Sequence, residues 1–211
     1  MRNPIRMAIS HAADAGVLKD AFRLLGTDRS HAKLVLGQIE SGENSPPTSS
    51  AGRLFDAVSA LAGVCRQATY DGHPAMLLEQ AASESATFEY PFELDEEEGR
   101  VVLDTRPIVC AVVKDLSKGR SPSDVAGRFH RTMAAGVLSV CRLLRGRTGL
   151  TRVCLGGGVF QNELLTSDLA ARLGACDFEV FVPREVPVGD GGIALGQVLV
   201  AHGRRGQWGG G

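Results

Sequence analysis

The fold turns on Arg152–Gly174, RVCLGGGVFQNELLTSDLAARLG, and on the two apolar runs that come after it. Val153-Cys154-Leu155 is a short apolar run that reads as a strand, and QNELLTSDLAARLG (161–174) reads as a helix. FEVFVP (178–183) is then a second strand and GGIALGQVLVAHG (191–203) a second helix. This βαβα order predicts parallel pairing with crossover helices. Each strand runs into a glycine-rich turn: Gly156-Gly157-Gly158 after the first, Gly189-Asp190-Gly191-Gly192 after the second. In parallel α/β units ligands bind beyond the carboxyl ends of the strands, so both turns lie at one edge. A backbone without β-carbons lets an oxygen approach closely, and helix N-terminal amides favour an anion. The glycines do not match G-x-G-x-x-G, because Val159 and Gln161 stand in the wrong places, and no G-K-[ST] follows. Spacing alone leaves a plain turn and a phosphate cradle both open. Two anion-friendly turns side by side favour a nucleotide phosphate site more than either does alone. Asp190 is placed to cap the last helix, with a metal-side or phosphate-side carboxylate as the rival reading.

Upstream the texture is helical. Residues 5–25 and 31–39 predict two short helices, and GENSPPTSS (42–50) a loop dense in breakers. In AGRLFDAVSALAGVC (51–65), Leu54, Val58, Leu61, Ala62 and Cys65 share one helical face, and Ser49 or Ser50 is placed to cap it. Gly52 and Asp56 lie four apart on one face. A glycine with a carboxylate one turn later can admit a ribose and bind its hydroxyls; the plainer reading is a capped helix with a solvated Asp. YDGHPAMLLEQAA (70–82) is a turn and a helix, with Gly72 in the turn and Pro74 in the first helical position.

TFEYPFEL (87–94) and RVVLDT (100–105) predict two strands, joined by an acidic hairpin tip, DEEEG (95–99). A metal-binding carboxylate cluster is the alternative at that tip, but nothing near it supplies a shaped cavity. Pro107–Lys118 predicts a helix, and Ser121 to about Leu144 the strongest one, with Ser121 as cap, Pro122 at the first position and Asp124 as the capping-box acid. Its expected buried stripe is Val125, Phe129, Met133, Val137, Val140, Cys141 and Leu144. The class is therefore α/β with α+β character. A helical segment spans 1–86, an α/β lobe 87–203, and a disordered tail 204–211.

The totals exclude several function classes. Of 211 residues 44 % are apolar and 22 % charged, as in a globular chain rather than a disordered one. A net charge of −1 gives no global field toward nucleic acid, and the basic run Arg142–Arg152 reads as a solvated helix end. No stretch approaches the roughly 20 apolar residues of a membrane span, and the N-terminus lacks a signal-peptide core. The five cysteines form no C-x-x-C pair and read as reduced core residues, which favours the cytoplasm. His73 is assigned to its turn and His130 to a half-buried, hydrogen-bonded place. No H-x-x-x-H, Cys/His cluster or G-x-S-x-G occurs, so neither a complete metal site nor an activated nucleophile can be read.

Three stretches together resemble one family: SSAGRLFDAVSALAGVC (49–65), LGGGVFQNELL (155–165) and VPVGDGGIALGQ (186–197). YDGHPAMLLE (70–79) and RFHRTMA (128–134) join them. They are similar, in order and separation, to the C-terminal part of the HypF carbamoyltransferases of nickel–iron hydrogenase maturation. The resemblance implies the second lobe of an ASKHA fold, the two-lobed actin and sugar-kinase architecture. It implies ATP and a carbamoyl-adenylate as ligands, and transfer of the carbamoyl group to the C-terminal cysteine of a HypE-type acceptor. Carried over residue by residue, Ser50, Gly52 and Asp56 would hold the ribose, Gly157 and Gly158 would line the phosphates with Asn162 nearby, and Asp190 would bind a divalent metal. The acylphosphatase-like, zinc-finger and YrdC-like domains of full-length members have no counterpart in these residues, nor does the first lobe with its paired histidines. The expectation is a lobe that works only with those parts. The alternative is a non-catalytic nucleotide- or partner-binding module of the same descent, and a weaker one a fragment without a ligand.

Overall fold

Ala-rich sequence around residue 57 lets helices approach closely, and the first unit is built around that point. A computed structural model describes residues 3–27 and 29–205; of the expected tail, residues 206–211 lie outside the described residues. The chain forms two compact units, Met1–Gly149 and Leu150–Gly211.

The first unit opens with α1 (Pro4–Asp14), α2 (Leu18–Leu25) and α3 (Arg29–Ser41). The continuous helix expected over 5–25 is broken, because Gly16 takes a left-handed φ of 72° between α1 and α2. Next come α4 (Ala51–Leu61) and α5 (His73–Ala81), which begins at His73 with Pro74 second. α4 packs against α1, α2, α5 and the later helix α6 (Arg106–Ser117), so all its residues from Leu54 to Leu61 are buried, not one stripe alone. Ser50 stands at its N-cap without a side-chain cap bond, because the Arg53 amide donates to the Ser50 carbonyl instead, at 3.1 Å.

The hairpin forms one notch later than the charge pattern suggests. β1 (Glu93–Glu97) pairs antiparallel with β2 (Arg100–Asp104), Glu97 opposite Arg100. The turn is Glu98-Gly99, both at positive φ (51° and 77°), the two-residue geometry that matches strand twist. Asp95, Glu96 and Glu97, expected at the tip, are thus in the strand, where Arg147 pairs with Glu96 at 2.7 Å. Residues 87–92, expected as strand, lie outside it. Their anchor is Thr132 on α7 (Pro122–Thr148), whose Oγ1 accepts from the Tyr90 amide at 2.8 Å. Glycines let the chain at Ser83–Ala86 and the hairpin approach α7. A β-carbon on Gly127 would meet the Ser83 carbonyl oxygen at 2.4 Å, and one on Gly136 would meet Leu103 Cδ2 at 2.8 Å. The hairpin and α7, expected with the α/β segment, therefore belong to the first unit.

Ser121 caps α7 by accepting from the Asp124 amide at 3.2 Å, and Gly149, at φ 73°, ends it. Burial along α7 fades past Gly136, and Leu144 of the expected stripe is 44 % exposed.

In the second unit β3 (Arg152–Cys154) pairs parallel with β4 (Glu179–Phe181), joined by α8 (Glu163–Gly174), and α9 (Ile193–Arg205) follows. The βαβα order is as the sequence predicts. All five cysteines are free thiols, but only Cys65 is buried; Cys154 is exposed, because alternation along β3 turns it outward.

Candidate functional site

The two glycine turns meet. β3 and β4 run parallel, so both chains leave the sheet at the same edge. The Gly157 amide donates to the Val188 carbonyl at 2.7 Å, tying the first turn to the second. Short 3-10 turns follow in each, Gly158–Gln161 and Asp190–Gly192. A β-carbon built on Gly189 would meet Gln161 Nε2 at 2.8 Å and Gly158 Cα at 3.5 Å.

These glycines are bare for different reasons. Gly157 has a φ of 111°, which L side chains rarely adopt. On Gly192 a β-carbon would meet the Pro187 carbonyl oxygen at 2.5 Å, so packing demands glycine there, and on Gly191 the Pro187 ring at 3.2 Å, a tight fit. Gly156 and Gly158 differ from all of these. Neither has a left-handed φ, and a β-carbon on either would meet nothing within 4 Å. Backbone strain and packing do not require glycine there.

Asn162 is 7 % exposed and caps α8, its Oδ1 accepting from the Leu165 amide at 2.8 Å. The carboxamide expected near phosphate thus fixes the helix that follows the first turn. Asp190 caps neither helix: Gly189 holds the N-cap of the 3-10 turn, and Asp190 opens that turn with an exposed side chain. It therefore remains available to a ligand. Among the described residues no three His, Cys, Asp or Glu side chains gather to hold a metal ion. The residues present do not build a metal site around Asp190.

Ser50, Gly52 and Asp56 stand together at the start of α4, in the first unit. Asp56 is not the solvated carboxylate of the plainer reading. It is 7 % exposed, and Arg53 Nη1 donates to its Oδ2 at 3.1 Å. Ser50 Oγ lies 3.6 Å from where a Gly52 β-carbon would be. The sequence reading missed Arg53, although its place three residues before Asp56 is a helical pairing distance. Behind Asp56, burial pushes the Cys65 thiol above its usual range, so it is a packing group rather than a nucleophile. Cys65 lies 4.0 Å from His73 Nδ1, which accepts the Thr69 amide at 3.3 Å. His130 is fully rather than half buried, at 1 % exposure. Its Nδ1–H donates to the Ala126 carbonyl at 2.8 Å and its ring meets Phe55 edge-on, so α4 packing leaves it no solvent.

The family described as "Carbamoyltransferase, Kae1-like Domain, second subdomain" matches residues 1–197. The chain belongs to this family. It is similar to the carbamoyltransferase HypF of Synechocystis sp., 34 % identical over 166 residues, which covers 78 % of this chain and 21 % of that protein. A crystal structure of full-length HypF in the phosphate- and nucleotide-bound form superposes with a TM-score of 0.88 at 33 % identity, over 95 % of this chain and 31 % of that one. The T. kodakarensis HypF gives 0.77 at 26 % identity, over 94 % and 27 %. The helical region, hairpin and parallel unit are thus those of the ASKHA-like C-terminal lobe of the HypF family. The chain spans about a fifth of the length of the Synechocystis relative and under a third of the two solved chains.

Proposed function

We propose that this chain is the nucleotide-binding lobe of a carbamoyltransferase, holding ATP or a carbamoyl-adenylate while the carbamoyl group passes to the terminal cysteine of a HypE-type acceptor. One observation carries the reading: Gly158 is bare without conformational or packing cause, in a turn tied to a second glycine turn at the carboxyl edge of parallel strands. The phosphate of an adenylate fits that opening, with Gly157 and Gly158 lining it and Asn162 holding α8 in place. Ser50, Gly52 and Asp56 would take the ribose, Asp56 being preset by Arg53. The nucleotide-bound state of a relative supports the ligand class.

In the transfer, the acceptor thiolate forms a C–S bond to the carbamoyl carbon. The C–O bond to the phosphate breaks, and the electron pair leaves on AMP. Negative charge grows on the departing phosphate, where preorganised polar backbone stabilises it without reorganisation. The nucleophile comes from the partner, which accounts for a buried, unactivated Cys65. Asp190 would be one ligand of a divalent ion whose other ligands lie elsewhere. The free thiols fit a reducing compartment such as the cytoplasm.

The test is reconstitution. Mixed with the first lobe and adenylating domain of a HypF relative, the chain should restore carbamoylation of a HypE-type acceptor, read by mass spectrometry. A folded complex that binds ATP without transferring supports the non-catalytic module instead.

A further inference from the structure

The Gln161 carboxamide lies at the junction of the two glycine turns. Its Nε2 sits 2.8 Å from the place a Gly189 β-carbon would take, and Gly158 Cα is 3.5 Å from the same point. Gly158 and Gln161 begin and end one 3-10 turn, three residues apart. The Gln161 carboxamide and the bare backbone of Gly158 thus flank the same point beside Gly189. The residue is exposed, and no hydrogen bond ties its carboxamide to another described residue. Its neighbours differ in kind. Asn162 uses its oxygen in the α8 cap, and Asp190 offers acceptors only. Gln161 presents a neutral donor and a neutral acceptor on one planar group beside the opening.

A carbamoyl group has the same pattern: an NH2 donor and a carbonyl acceptor on one carbon. We infer that Gln161 reads the carbamoyl group, its Oε1 accepting from the carbamoyl NH2 and its Nε2 donating to the carbamoyl oxygen. This rests on the phosphate reading of the glycine turns and adds what distinguishes a carbamoyl ester of phosphate from its analogues. An acetyl group has nearly the same size and the same carbonyl but no N–H, so it leaves the Gln161 acceptor unpaired. Methionine in place of glutamine keeps the length of the side chain and removes both polar ends.

The experiment is calorimetric titration of the whole chain with inorganic phosphate, carbamoyl phosphate and acetyl phosphate. Carbamoyl phosphate should bind about tenfold more tightly than acetyl phosphate, roughly 1.4 kcal/mol, the size expected of one or two neutral hydrogen bonds. Gln161→Met should bring that ratio close to one, leave the affinity for inorganic phosphate within about twofold, and leave the melting temperature unchanged, since the side chain is exposed. Equal affinity of the wild-type chain for the two acyl phosphates overturns the role of Gln161 and leaves the phosphate reading standing. A preference that survives Gln161→Met also overturns it, because the carbamoyl group is then read elsewhere. Failure to bind any of the three overturns the phosphate reading, and the assignment with it.

Discussion

Gly127 and Gly158 are both bare, for opposite reasons. A β-carbon on Gly127 collides with the Ser83 carbonyl oxygen, which belongs to backbone and cannot turn aside; one on Gly158 meets open space. Gly127→Ala should therefore cost on the order of 1–3 kcal/mol in chemical denaturation, while Gly158→Ala should change stability by no more than about 0.5 kcal/mol. The sequence marks both as glycine and cannot tell them apart, because the reason lies in what the rest of the chain places beside each. The same holds for Asp56. Its helical face is legible, but the burial that turns it from a solvated carboxylate into a held one comes from the helices packed around α4. His130 gives a pH prediction. Burial pushes its imidazole, and that of His11, below the ordinary value. As pH falls below about 6.5 the unfolded chain binds protons that the folded chain refuses, so stability is full above that pH and lost below it. Arginines hold Asp104 and Asp124 low as well, but that loss begins only near pH 4. Denaturation at pH 7.5 and pH 5.5 should show the loss, and His130→Asn should reduce it.

Helices with explicit ends were legible and strands without them less so. Ser121, Pro122 and Gly149 bound α7 by side-chain and backbone chemistry that needs no partner, and Ser121→Ala should lower stability by about 1 kcal/mol in thermal unfolding. The hairpin was misplaced because charge suggested the turn. What sets it is the positive φ that Gly99 permits, with the strand acids neutralised by arginines from elsewhere in the chain. The break between α1 and α2 obeys the same rule, since the cue was a single glycine inside an apolar period. β3 and β4 are only three residues each, yet their parallel order was readable from the intervening helix. α9 is largely apolar as far as Ala201, yet its residues 193–204 are exposed, with Val198 and Leu199 each 63 % exposed. Helices of that kind are normally covered. A dye that reports exposed apolar surface should bind the chain, and Val198→Glu should reduce that signal without lowering the melting temperature.

At the scale of the molecule the sequence motifs identified the family and the lobe, while the division at Gly149 was hidden, because α7 joins the hairpin and the helices through contacts distant in sequence. The residues proposed for the phosphates and for the ribose fall in different units. The account stands on the phosphate side, where two turns are tied by one backbone hydrogen bond and two glycines, Gly156 and Gly158, have no strain or packing reason to be bare. The most direct test is calorimetric titration of ATP into the wild-type chain and into Gly158→Trp, whose β-carbon meets nothing within 4 Å and which should melt at the wild-type temperature. The account predicts saturable binding to the first and a loss of at least about thirtyfold in the second, roughly 2 kcal/mol. Wild-type affinity in the tryptophan variant would contradict it.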